Sequence, residues 1–137
     1  MNKSKTVQLF CSAMLMGLLV ACAEPVEELG PVVTLAVLES GNPTLAGDPT
    51  TGATYAAWVV GEGHEANVWI SSLSQDGTHS DPVQVNDIPG DAAPHAQAPS
   101  QVAVGPEGNV YLLWTNNTPV EGRRFPASNL RFARSVD

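Results

Sequence analysis

Two stretches of this chain repeat each other, and that repetition limits its fold more than any other feature. Pro43-Thr44, followed by Gly52-Ala53-Thr54-Tyr55-Ala56-Ala57-Trp58, aligns with Pro99-Ser100 and Gly108-Asn109-Val110-Tyr111-Leu112-Leu113-Trp114 at a constant offset of 56 residues. After a longer second loop, Asn67-Val68-Trp69-Ile70-Ser71 aligns with Asn129-Leu130-Arg131-Phe132-Ala133 at an offset of 62. The repeated segments are short apolar runs bounded by Gly, Pro, Asn and Asp, which is how strands and their turns are written. A strand-built unit of this length needs a neighbouring copy to cover its apolar face, so the repeat predicts an all-β fold of β-propeller blades.

The expected first blade has strands near 43–47, 53–60, 67–73 and 82–86; the second has strands near 100–104, 109–115 and 129–134. Val32–Leu38 reads as one further strand. Val110-Tyr111-Leu112-Leu113-Trp114 is apolar without alternation, as in a strand covered on both faces. Val83 and Val85 alternate with Gln84 and Asn86, which suits an outer strand with one wet face. Gly 12 and Pro 11 supply the many turns such a fold requires.

Charge narrows the partners. Residues 22–122 hold 13 Asp and Glu and no Lys or Arg, within a chain of formal net charge −8. Without cations to neutralise phosphates, nucleic acid and anionic headgroups are excluded as partners for most of this surface.

The first 31 residues carry a different message. Lys3 and Lys5 precede an apolar stretch, Thr6–Ala21, too short for an ordinary membrane span. It ends in Leu19-Val20-Ala21-Cys22, which resembles the lipobox of bacterial lipoproteins. The resemblance implies a signal peptide over 1–21, a diacylglyceryl thioether on Cys22 and, with Ala23 next, passage to the outer membrane of the cell envelope. Residues 22–31, with three Glu and two Pro, form an acidic tether, and 32–137 form the blades. Cys11 departs with the leader, so no thiol is left for a disulfide, zinc or cysteine catalysis, and no cofactor or metal is expected.

Asn109-Val110-Tyr111-Leu112-Leu113-Trp114, a loop, and then Asn129 to Asp137 look like the repeat of bacterial sialidase (neuraminidase) propellers. In that family each blade carries an Asp box, Ser-x-Asp-x-Gly-x-Thr-aromatic, a hairpin whose Asp accepts loop N–H groups while its Gly takes a positive φ. Ser74-Gln75-Asp76-Gly77-Thr78-His79-Ser80 is a version one residue short and without the aromatic, and Ser135-Val136-Asp137 is the start of another. The resemblance implies six blades, of which about two four-stranded antiparallel ones are present. The expectation is therefore an N-terminal fragment of a sialidase-like lipoprotein, with the sheet face of Leu112 and Trp114 left uncovered. The parent would bind a glycan or act as an exo-α-sialidase. The alternatives are a non-catalytic binding or assembly module, or a short chain that builds its propeller by homo-oligomerisation.

Sialidases are similar in clamping a substrate carboxylate with three arginines, beside a Tyr–Glu nucleophile and an Asp acid/base. Arg124-Phe125-Pro126 is the nearest match to their Arg-Ile-Pro motif, but it follows a blade and reads as a turn with solvated arginines. Arg131 and Arg134 alternate with Phe132 and read as blade-surface charges. Tyr55 and Tyr111 hold equivalent repeat positions and read as packing residues. No catalytic residue can be assigned, and the chain by itself is not expected to be catalytically competent. The loop from Asn86 to Pro99 is the most polar candidate. Its Asp87, Asp91 and His95 are suited to a sugar hydroxyl, a hard cation such as Ca²⁺, or acid/base work; the competing reading is a Pro-fixed loop whose side chains cap backbone groups. His64 and His79 read as surface residues. Glu62-Gly63-His64-Glu65 and Glu121-Gly122-Arg123-Arg124 occupy corresponding hairpin loops, one acidic and one basic.

Overall fold

The computed structural model describes residues 32–36 and 40–135. The leader, Cys22, the tether and Asp137 lie outside the described residues. Seven strands follow in order: β1 (Ser40–Gly47), β2 (Thr54–Val60), β3 (Asn67–Leu73), β4 (Val83–Gln84), β5 (Gln101–Val104), β6 (Val110–Thr118) and β7 (Ala127–Arg134). One turn of 3-10 helix, Gly63–Glu65, is the only helical element among the described residues. The strands form two antiparallel sheets, β1-β2-β3-β4 and β5-β6-β7. The all-β reading holds, and β1–β3 and β5–β7 fall within a few residues of the expected positions.

The strand registers reproduce the sequence repeat. Trp58 pairs with Trp69, and Trp114 with Arg131, so β2/β6 and β3/β7 keep the offsets of 56 and 62. The inner strands differ by one. Thr44 pairs with Ala57 and Gln101 with Leu113, so β1 and β5 are related by 57 residues. The cause is the turn: Asp48–Ala53 connects the first pair with one residue more than Gly105–Asn109 connects the second. The expected alignment of Thr44 with Ser100 is thereby corrected.

Two further expectations change. Val32–Ala36 is not a strand; it joins no ladder, and Leu35 and Ala36 instead line an apolar hollow of about 210 Å³ beside Trp58. An apolar run can be satisfied by covering an aromatic ring as well as by pairing. The fourth strand of the first sheet shrinks to Val83–Gln84. The second sheet has its three expected strands among the described residues.

The two sheets pack face to face. Ala57, Val59, Ala66 and Val68 of the first meet Val110, Leu112 and Trp114 of the second in one core, with Ala92 from the connecting loop. The face bearing Leu112 and Trp114 is therefore covered, at 4% and 7% exposure, contrary to expectation. Its partner is the first sheet itself. β6 also alternates after all: Val110, Leu112, Trp114 and Asn116 are buried, while Tyr111, Leu113 and Thr115 between them are only half-buried. At roughly 25 cal/mol per Å² of apolar surface, this shared layer is the main force holding the sheets together.

Candidate functional site

The polar loop Asn86–Pro99 crosses from one sheet to the other. Its entry is held by two asparagines. Buried Asn86 accepts the Val68 N–H through Oδ1 (2.8 Å) and donates through Nδ2 to Asn67 Oδ1 (2.8 Å) and the Ile88 carbonyl (2.7 Å). Asn67 Oδ1 also takes the Gly90 N–H at 2.8 Å. Gly90 sits at φ +76°, and a Cβ there would strike the His64 carbonyl. From this point the backbone bridges the sheets: Ala92 N–H donates to the Ala66 carbonyl (3.1 Å) and Ala93 N–H to the Thr115 carbonyl (2.8 Å).

Asp91 lies at the centre of the crossing and is 8% exposed. Its main-chain carbonyl accepts the Trp114 indole N–H at 2.7 Å. Its carboxylate accepts the Asn116 amide and meets Arg131 at two points, Nη2 donating to Oδ1 at 3.1 Å and Nε 2.9 Å from Oδ2. Asn116 is in turn bonded by Asn129 Nδ2 at 3.0 Å, which also reaches Thr118 Oγ1 at 2.9 Å. A buried carboxylate so furnished is both paired with a cation and hydrogen-bonded. Arg131 is thus not a blade-surface charge: it reaches from β7 into the junction, where the buried carboxylate draws it.

Asp87 and His95 are exposed, and the His95 Nδ1 accepts the Gln97 N–H at 3.2 Å. The three loop residues accordingly differ in surroundings, one buried in a polar network and two facing solvent. Among the described residues no three His, Cys, Asp or Glu side chains stand close enough together to hold a metal. Asn67, Asn86, Asn116 and Asn129 complete the junction, and their roles are not evident from the sequence. Asn67 and Asn129 do align in the sequence repeat, at the offset of 62.

The hairpin turns carry the other candidate residues. In Ser74–Thr78, Asp76 Oδ1 accepts both the N–H (2.9 Å) and the hydroxyl (2.7 Å) of Thr78, Ser74 N–H donates to the Thr78 carbonyl (2.8 Å), and Gly77 has φ +86°. The β1–β2 turn is built similarly. Asp48 accepts the Thr50 N–H at 2.8 Å and the Thr51 hydroxyl at 2.6 Å. The Thr51 hydroxyl first, with the Thr50 N–H, holds the Asp48 carboxyl below its ordinary range, and the Thr78 hydroxyl and N–H do the same for Asp76. Ser135 closes the second sheet: its Oγ accepts the Val110 N–H at 2.9 Å and its own N–H donates to the Val110 carbonyl at 2.9 Å.

A cleft of about 600 Å³ opens between the sheets on the β3–β4 side. Its floor is Tyr55, Ile70, Val110 and Leu112, and its rim carries Ser72, Ser80, Glu107 and Arg134. Arg134 donates to Asn109 Oδ1 at 3.0 Å and lies over the Tyr111 ring. Tyr111 stacks on Phe132 at 6.2 Å, while Tyr55 packs against the core. Both tyrosines therefore have packing partners. Hydroxyls around an apolar floor suit binding of a small amphipathic group.

No known family model, curated protein or solved structure matches the chain. What it can do is therefore argued from its own residues. His64 and His79 are exposed, the latter beside the Ser80 carbonyl. Arg124 lies over the exposed ring of Phe125 at 5.4 Å, in the β6–β7 loop.

Proposed function

We propose that the chain is a lipid-anchored repeat module of the bacterial cell envelope, built of propeller-type blades related to those of sialidases, that binds or assembles rather than hydrolyses. The single observation that carries the non-catalytic part is the two-point contact of Arg131 with buried Asp91. Holding a sugar carboxylate takes guanidinium groups free to make a bidentate contact. The arginine that enters the junction between the sheets has its fork turned onto an internal carboxylate instead. Arg134 lies over Tyr111 and Arg124 over Phe125, each guanidinium already stacked on an aromatic ring.

The propeller reading is supported by the matched registers of the two sheets and by their face-to-face packing, in which a connection from the last strand of one sheet leads to the first strand of the next. The anchor is supported by the lipobox-like Leu19-Val20-Ala21-Cys22. Three outcomes are expected. The wild-type chain, expressed in a Gram-negative host, takes up an alkyne fatty acid and sediments with outer membranes. Cys22→Ala loses both label and attachment. A fluorogenic α-sialoside is not cleaved above the rate of heat-unfolded chain; turnover abolished by Arg131→Met would overturn the non-catalytic reading, and label retained by Cys22→Ala would overturn the anchor.

A further inference from the structure

A β-sheet ends on each side in a row of main-chain N–H and C=O groups that any extended chain can pair with, and folded proteins ordinarily spoil such edges. Among the described residues, three of the four edges of the two sheets are spoiled. β1 is broken by a register shift between Gly41 and Thr44, with Pro43 inside it and Asn42 at φ +54°. β4 is two residues long and follows Pro82, and β5 is four residues long. β7 is different. It ends its sheet as eight residues in unbroken register with β6, without Pro or Lys. Its side chains do not guard it either, since Leu130 is 69% and Phe132 60% exposed.

The ladder shows which groups are open. Ser135 donates its N–H to the Val110 carbonyl, and along an antiparallel pair residues turn their main-chain groups alternately toward and away from the neighbouring strand. Ala133, Arg131 and Asn129 therefore bond toward β6, whereas Arg134, Phe132, Leu130 and Ser128 turn their main-chain groups outward.

The repeat shows what such an edge takes. Leu130, Phe132 and Arg134 are the counterparts of Val68, Ile70 and Ser72 on β3, at the offset of 62. The β3 edge is occupied: Val85 N–H donates to the Val68 carbonyl at 2.8 Å, Val83 pairs with Ile70, and Ser80 N–H donates to the Ser72 carbonyl at 2.9 Å. The occupying segment, Ser80-Asp81-Pro82-Val83-Gln84-Val85-Asn86-Asp87, has Val at alternate positions and Asp toward both ends. Laid on β7 in the same register, it sets Val85 against Leu130, Val83 against Phe132 and Asp81 beside Arg134. Cross-strand pairs of these kinds stabilise a ladder. Arg134 is exposed and, bonded through Nη2 to Asn109, has donors beyond that contact. On β3 its place is taken by Ser72, so the acidic end of such a strand meets a cation on β7 and not on β3. A second copy's β7 fits less well, because β7 has no acidic residue to meet Arg134 and each chain carries a formal net charge of −8.

We propose that β7 binds an extended segment of a partner protein, apolar at alternate positions and with a carboxylate beside Arg134, which adds to the second sheet as an antiparallel fourth strand. The inference rests on the binding-or-assembly reading and deepens it by naming the partner's chemistry.

The probe is a fluorescein-labelled peptide of residues 80–87, followed by anisotropy against the full chain in non-ionic detergent. Saturable binding that weakens with added salt is expected. A peptide N-methylated at Val85, which lacks the N–H that reaches the Leu130 carbonyl, is expected to bind about tenfold more weakly, and a scrambled peptide not measurably. Leu130→Pro removes an outward N–H and no bond to β6; with circular dichroism unchanged, it too is expected to weaken binding about tenfold. The N-methyl probe leaves the protein untouched, so the test stands even where that variant does not fold. Arg134→Glu is expected to weaken binding of the original peptide and to strengthen binding of one carrying Asp81→Lys. Absence of saturable binding, equal binding of the scrambled or N-methylated peptide, or binding unmoved by both protein variants overturns the proposal, the last because the peptide is then displacing β4 from β3. A wild-type dimer in light scattering that Leu130→Pro dissolves would give the edge to a second copy and overturn it likewise. Each of these outcomes leaves the fatty-acid and sialoside tests of the module reading untouched.

Discussion

At Asp91 and Arg131, burial decides what each side chain contributes. The carboxylate is 8% exposed and the guanidinium side chain 40%, so the pair is sheltered on one side and screened on the other. Removing the arginine strands a buried anion, whereas removing the anion releases a cation that water can reach. Arg131→Met is therefore expected to cost about 2–3 kcal/mol, and Asp91→Asn, which keeps a carbonyl for Asn116, about 1 kcal/mol. Urea midpoints measure both, and equal losses would contradict the asymmetry. Gly90 is the neighbouring test of geometry. Its positive φ and the approach of the His64 carbonyl leave no room for a methyl group, so Gly90→Ala is expected to lose about 1 kcal/mol to the left-handed backbone and about 1–3 kcal/mol to overpacking. A wild-type midpoint would show that the loop shifts freely. The loop's prominence was legible from its Asp, Asn and Pro content, but Asp91's burial was not. That depends on an arginine 40 residues away, and nothing local to either residue announces the pairing.

At the level of elements, the hairpins are set by turn chemistry. Asp48 and Asp76 each accept bonds from a threonine, and both carboxyls titrate below the ordinary value of 3.8. The folded state thus binds these protons less readily than the unfolded chain. The contribution is fully present above the unfolded value and is lost as pH falls through the lower, folded values. Thermal midpoints should accordingly drop on acidification below about 4, and Asp48→Asn with Asp76→Asn should flatten that drop while lowering the midpoint at neutral pH. An unchanged pH profile in the double variant would place the acid sensitivity elsewhere. The strands themselves were readable because β2, β3, β6 and β7 combine apolar runs with Gly-rich punctuation and recur. Val32–Ala36 departs from the strand expectation for a physical reason: composition reports that a segment will be covered, not whether it pairs in a ladder or lies against a side chain such as Trp58. The one-residue slip of β1 against β5 was hidden for a similar reason, since a longer turn shifts register without altering the apolar pattern.

For the whole molecule, the question is whether two sheets amount to one cooperative body. They share Val68 and Leu112 in a single core, Arg131 and Asp91 join the second sheet to the loop leaving the first, and the loop's Ala92 and Ala93 hydrogen bond to opposite sheets. A sheet without its partner would expose that core layer to water, so separate unfolding is disfavoured. The three tryptophans report on this independently, with Trp58 and Trp69 in the first sheet and Trp114 in the second. Fluorescence of Trp114→Phe follows only the first sheet, and that of Trp58→Phe/Trp69→Phe only the second. Within each variant, the fluorescence transition in urea should coincide with the loss of far-ultraviolet circular dichroism, which follows both sheets. Val68→Ala, at a position with no exposure, should cost about 1–3 kcal/mol and move the signal of Trp114 as far as those of Trp58 and Trp69. If the Trp114 signal stays in place when Val68 is cut back, the sheets unfold as independent units and the shared core does not couple them.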